Sequence, residues 1–270
     1  SGVSACTRDC RPACASCARL TRTAVKPAAA PHSRGGPRWT EQRKARSRLR
    51  SEARAEQPGG ERSGDRVRLN GRAYLAATRS RIVPCFSRQR RTQLEGFLFP
   101  ATYDFLARTT ARQLVNAQLA AFCREWATVD LRYARARNLT PYDVLTIASM
   151  IEREAAVAGE RRLVAAVIYN RLRARMPLGI DATLRYGLRI PPTESIRRSQ
   201  LRDPTPYNTR LYRGLPPTPI ASPGLASIRA AAHPADVDYL FYARKRDHRH
   251  HFFTASASAY NRFLVENGYG

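Results

Sequence analysis

The sequence has little acid, little histidine and no long apolar run. Against 47 Lys and Arg it sets 21 Asp and Glu, a formal charge of +26, and it holds five histidines in 270 residues. Histidines this sparse give no support to a Ser–His or Cys–His nucleophile, and G-x-S-x-G, P-loop, G-x-G-x-x-G and H-E-x-x-H motifs are all missing. No apolar stretch reaches the roughly 18 residues a membrane-spanning helix needs. No signal-peptide pattern is visible at the start, and the first residue is Ser1, not Met, which leaves room for an upstream segment. Cysteine is scarce in the body of the chain: Cys6, Cys10, Cys14 and Cys17 cluster near the start, while Cys85 and Cys123 stand alone. The cluster's spacing matches no zinc pattern, so these read as thiols of a tail, and no metal or cofactor is expected.

What is there divides into two parts. Residues 1–90 carry 21 basic and 6 acidic residues, net +15, and residues 91–270 carry the other 26 and 15, net +11. Such an excess suits an anionic partner: nucleic acid, a lipid surface or an acidic polymer. Residues 1–66, rich in Arg, Ala, Ser, Gly and Pro without a sustained apolar period, read as a disordered extension. Within them residues 39–54 could form a transient basic helix. Order is expected over residues 67–270.

In that second part, residues 71–79 read as a short helix, Pro84 opens a turn, and LEGFLFPATYDF at 94–105 reads as an extended segment turning at Pro100. Residues 107–127 form an amphipathic helix whose stripe includes Leu114, Leu119, Phe122 and Trp126. The clearest helix spans 140–157: Thr140 caps it, Pro141 takes the first helical position, Asp143 completes a capping box, and Gly159 closes it. Its buried stripe is Val144, Ile147, Ala148, Ile151 and Ala155. A further helix runs over 160–175 and is stopped by Pro177. From Leu178 onward the chain is rich in turns, followed by a short helix at 224–232. Strands at 237–243 and 250–254 then make a β-hairpin, and a last helix covers 256–266.

Candidate acids lie in the clearest helix. At about 100° per residue, Glu152 and Glu154 flank opposite edges of the buried stripe, roughly 160° apart, so they cannot form a paired-acid site with each other. A carboxyl at the edge of such a stripe is partly desolvated and keeps its proton, as a general acid must. The alternative is that both are surface acids pairing with Arg153, Arg161 or Arg162. His248, His250 and His251 read as a solvated loop. Tyr186, Tyr207 and Tyr212, near Asn170, Asp181 and Asn208, offer aromatic faces and polar groups of the kind a sugar cleft uses, or ordinary core packing.

The segments LEGFLFPATYDF, LTPYDVLTIASMIEREAAVAGERRLVAAVIYNRLRARMPLGIDATLRYGL, PYNTRLYRGLPPTPIASPG and AAAHPADVDYLFYA, in this order from about Tyr74 to Phe253, resemble the endolytic murein transglycosylases of the YceG-like (MltG) family. The resemblance implies cleavage of the MurNAc–GlcNAc β-1,4 bond within peptidoglycan strands, leaving a 1,6-anhydro-muramyl end. It places the acid on Glu154, followed by Ala155 where many relatives carry Thr. It implies substrate contacts from Glu152, Asn170, Asp181, Thr183, Tyr207 and Asn208. It further implies an α+β fold, with a helical catalytic core on a small antiparallel sheet, no cofactor, and glycan strands as partners beside cell-wall synthases. Relatives usually carry a membrane helix and a LysM-like subdomain, which implies work at the outer face of the cell membrane; neither feature is recognisable here. The alternatives are a non-catalytic glycan-binding module that recruits synthases, and a nucleic-acid-binding protein acting through residues 1–66.

Overall fold

In the computed structural model the described residues are 70–79, 81–91, 93–104 and 108–269. The expectations for residues 1–66, including the four-cysteine cluster and the basic helix, lie outside them. The elements are α1 (Gly71–Ala77), β1 (Arg81–Val83), β2 (Ser87–Arg91), α2 (Ala111–Trp126), α3 (Arg132–Arg135), α4 (Pro141–Glu154), α5 (Arg161–Arg173), α6 (Asp181–Leu188), α7 (Leu225–Ala232), β3 (Phe241–Arg244), β4 (His251–Thr254) and α8 (Ala257–Glu266). The architecture is mostly helical with two small antiparallel hairpins, β1–β2 and β3–β4.

Helix α4 is the axis of the core. Thr140 accepts a hydrogen bond from the Asp143 N–H, and the Asp143 side chain accepts one from the Thr140 N–H, so the capping box forms as expected. Every residue from Val144 to Ile151 is buried, not only the anticipated stripe. The two polar members of that run are satisfied: Thr146 donates to the Tyr142 carbonyl, and Ser149 donates to the Thr146 carbonyl while accepting from the Ile220 N–H. Part of this enclosure comes from the LEGFLFP segment. There Gly96 has φ +92°, and a Cβ would lie 2.8 Å from Pro219, so only glycine fits.

Helix α4 ends earlier than its sequence suggests. Ala155 is already extended, with ψ 106°, and is buried, while Gly159 belongs to a separate 3-10 turn, Ala158–Glu160, that leads into α5. Glu154 is therefore the last helical residue, and Ala155 is buried as expected but in an extended conformation.

Three further features depart from the sequence reading. Helix α6 lies in the stretch expected to be turns; it is two turns long and stops where Arg189 adopts φ +58°. The segment at 237–240 is not strand, because its carbonyls are taken by α5: the Asn170 amide donates to Val237 and Tyr239, and Arg171 Nε donates to Leu240. Cys85 and Cys123 do not stand alone but form a disulfide, 38 residues apart in sequence, that ties the β1–β2 turn to α2 beside the Phe86–Phe97–Phe122–Trp126 aromatic cluster. A crosslink closing a loop of this length constrains the unfolded chain. Replacing both cysteines by alanine is expected to lower stability by about 2–4 kcal/mol in urea unfolding. An unchanged midpoint would show that the bond constrains nothing.

Among the described residues, no helix is long and apolar enough to cross a membrane.

Candidate active site

The β3–β4 hairpin brings the site together. Its register pairs Tyr242 with Phe253 and Arg244 with His251, so these four side chains share one face. The opposite face carries Phe241 and Phe252, which stack on Tyr260 and Phe263 of α8. With α8 behind it, the hairpin presents Tyr242, Arg244 and His251 toward the end of α4.

Glu154 meets that face. It is half-buried, and the Tyr242 hydroxyl donates to its Oε2 at 3.3 Å. Burial pushes the Glu154 pKa above the usual carboxylate range, and the negative charge of Asp181 adds to the rise; Arg244, His251 and the Tyr242 hydrogen bond oppose it. Burial also holds the Tyr242 hydroxyl well above its ordinary pKa, so it remains a donor. Oε2 accepts from Tyr242, while no described residue hydrogen-bonds Oε1. The chemistry available is that of a single carboxyl group, oriented by Tyr242 through one oxygen and biased by burial toward its protonated form.

Behind this contact lies a buried hydrogen-bonded pair. His251 is 5% exposed and Glu160 is 8% exposed. Glu160 Oε1 accepts the His251 backbone N–H at 2.9 Å, and Oε2 bonds the ring Nδ1 at 2.7 Å. His251 is thus not part of a solvated loop; only His248 and His250 are exposed, with His250 paired to Asp247. Arg171 of α5, also beside Tyr242, is held by the carbonyls of Pro177, Leu178 and Leu240.

The residues singled out in the sequence fall into different places. Asp181, at the start of α6, is exposed, close enough to influence Glu154, and its Oδ1 accepts both Nε and Nη2 of Arg210 at 3.0 and 2.5 Å. Tyr207 is half-buried against Tyr186, and its hydroxyl meets Thr218 at 2.9 Å. The polar atoms of the others are engaged inside the protein. Thr183 is fully buried, bonded to the Ile180 carbonyl and to Thr209. Asn208, equally buried, donates to the carbonyls of Leu201 and Asp203 and accepts from the Arg210 N–H. Asn170 holds the segment leading into β3.

Glu152 points away from Glu154, as the helical geometry requires. Its Oε2 accepts from the Gly224 N–H at 3.2 Å and from the Ser227 hydroxyl at 2.7 Å, which caps the start of α7. Neither glutamate pairs with an arginine among the described residues. A carboxylate at a helix N-terminus meets unpaired N–H groups and the positive end of the dipole. Glu152→Ala is therefore expected to cost about 1–2 kcal/mol of stability, read from thermal melts, with turnover per folded molecule unchanged. A stable variant without turnover would instead move Glu152 into the chemistry.

Sequence reasoning missed Tyr242, Arg244, His251, Glu160, Arg171 and Arg210. One signal was available for the strand residues: alternation in FYAR puts Tyr242 and Arg244 on one side.

Comparisons with known proteins point to one family. Over 160 residues the chain is 34% identical to the endolytic murein transglycosylase of Bacillus subtilis (strain 168), an overlap covering 59% of this chain and 44% of that protein. It is 36% identical over 159 residues to the endolytic murein transglycosylase of Streptococcus pneumoniae (strain ATCC BAA-255 / R6), covering 56% of this chain and 28% of that protein. The chain thus overlaps less than half the length of either relative. The crystal structure of a yceG-like protein from Listeria monocytogenes superposes with a TM-score of 0.62 at 27% identity, covering 72% of this chain and 68% of that one. The profile of the YceG-like family matches residues 36–265, most of the sequence, and the chain belongs to that family.

Proposed function

We propose that this chain is an endolytic peptidoglycan lytic transglycosylase that cuts the MurNAc–GlcNAc β-1,4 bond without water and leaves a 1,6-anhydro-muramyl end. The observation that carries this reading is the placement of the half-buried Glu154 carboxyl at the end of α4 against the Tyr242 hydroxyl, where burial raises its pKa. Protonated Glu154 gives its proton to the glycosidic oxygen as positive charge develops at the muramyl C1, and the C1–O bond breaks. The carboxylate left behind takes the proton of the muramyl C6 hydroxyl, whose oxygen closes on C1. The nucleophile belongs to the substrate, so proximity supplies what a second enzyme carboxylate would otherwise provide. The nearby carboxylate, Asp181, is bound to Arg210, which suits a role in raising the Glu154 pKa and positioning the strand better than one in activating water.

Tyr207 and the exposed Tyr212 offer ring faces to sugars, while Asn170, Thr183 and Asn208 act by holding the loops that carry the cleft. Residues 67–270 form the catalytic unit in this reading. The Cys85–Cys123 disulfide favours an oxidising compartment, in keeping with work at the outer face of the cell membrane beside cell-wall synthases.

The test is a digest of purified peptidoglycan in ¹⁸O-water. The expected products are one water lighter than hydrolysed ends and carry no label. Labelled, reducing muramyl ends would replace the transglycosylase by a hydrolase, and binding without product would leave a glycan-binding module.

A further inference from the structure

The charged groups around Glu154 are nearly all paired within the protein. From α6, Asp181 holds Arg210. From β4, His251 holds Glu160. From α5, Arg171 is held by three carbonyls beside Tyr242. Arg244 is different. It is exposed, and its guanidinium makes no hydrogen bond or ion pair among the described residues. It stands on the same strand face as Tyr242, two residues further on, about 7 Å along the strand.

An exposed arginine is commonplace, but this position is costly for an acid. The cation's field favours ionised Glu154 and so works against the proton that the acid must keep. That cost disappears when an anion from outside covers the guanidinium. The guanidinium fork suits a carboxylate, which it takes through two parallel hydrogen bonds.

We propose that Arg244 is the docking point for a carboxylate on the muramyl side of the glycan strand. This rests on the reading of the chain as a peptidoglycan-cleaving enzyme. Such a carboxylate comes from one of two sources: the lactyl group of a strand stripped of its peptides, or the stem peptide itself. Docking neutralises the cation beside the acid, so Glu154 holds its proton most firmly when a strand bearing the carboxylate is in place. Substrate recognition and acid protonation are thereby coupled through one side chain.

The test uses the full chain in the E154Q background, where strands are bound and not cut. Binding is measured by calorimetry for three ligands: peptide-bearing strands, stripped strands, and stripped strands whose lactyl carboxylates have been converted to amides. The E154Q protein is expected to bind one or both carboxylate-bearing forms more tightly than the amide form, and the form preferred identifies the source. Adding R244Q should remove about three- to tenfold of affinity for the preferred form, leave the amide form unaffected, and be partly reversed by R244K. Equal loss for all three ligands, or no loss, overturns the role of Arg244 while leaving the enzyme reading intact. Failure of the E154Q protein to bind any strand overturns both.

A second readout separates recognition from mere packing. With Glu154 intact, R244Q should move the high-pH limb of kcat/KM upward, because the free enzyme's acid loses the cation that favours its ionised form. An unmoved limb counts against the coupling.

Discussion

Glu154→Gln is expected to lower glycan turnover by about 10²–10⁴-fold, the range that a positioned general acid supplies. Glutamine has the same shape and keeps an oxygen for the Tyr242 hydroxyl, so the hairpin contact at 3.3 Å has a replacement. What it lacks is the proton. The measurement is the rate of release of anhydro-ended fragments by folded protein, compared with the Glu152 variant made in the same way. Loss confined to position 154 fits one acid at the end of α4. A Glu154→Gln protein that cuts within about tenfold of the parent rate would remove the carboxyl from the mechanism.

The same substitution has a stability signature with a definite sign. The folded-state pKa of Glu154 lies above its unfolded value, so the folded protein binds the proton more tightly. Stability from this group is fully present below the ordinary glutamate pKa and is lost as pH rises through the higher folded value. Glutamine does not ionise. The Glu154→Gln protein should therefore gain in melting temperature relative to the parent as pH climbs through that window, and then hold a constant lead. Melts from pH 4 to pH 8 read this directly, and a lead that shrinks with pH would mean that the folded protein favours the ionised form.

Local signals made much of the fold legible, and distant contacts explain what was not. The capping box at Thr140 and Asp143, the α2 stripe and the β3–β4 hairpin are encoded within a few residues of themselves, and the structure has them. The opposite directions of Glu152 and Glu154 followed from helical rotation alone. Helix α6 was hidden because it is short and contains threonine and glycine. The end of α4 was hidden because Ala155 has no stop signal of its own, and the nearest one, Gly159, lies in the separate 3-10 turn. Around Glu154 the decisive partners lie far away in sequence. Tyr242 is 88 residues from Glu154, and His251 is 91 residues from Glu160. No periodicity joins such positions. Family resemblance supplied Thr183 and Asn208 as substrate contacts, yet both are fully buried. Their polar atoms are engaged by Ile180, Thr209, Leu201, Asp203 and Arg210, contacts that the motif alone does not reveal.

Glu160→Ala should be among the most destabilising single changes, at about 2–4 kcal/mol, because it removes the carboxylate from a buried hydrogen-bonded pair. It would leave both the His251 backbone N–H and the ring Nδ1 without their acceptor in a place that water does not reach. Glu160→Gln keeps one acceptor and should cost clearly less. Urea unfolding of the two variants measures the difference, and a loss below about 1 kcal/mol for alanine would show that the pair does not hold the hairpin. The consequence for activity follows from where the grip lies. Glu154 meets β3 through Tyr242, and six residues later Glu160 meets β4 through His251. One short segment thus holds both strands, and it sets the distance between the acid and the face that orients it. In folded Glu160→Gln protein the hairpin is less firmly seated, so turnover should fall while strand binding through more distant contacts persists. A loss in kcat with little change in KM would separate this positioning role from a general loss of stability.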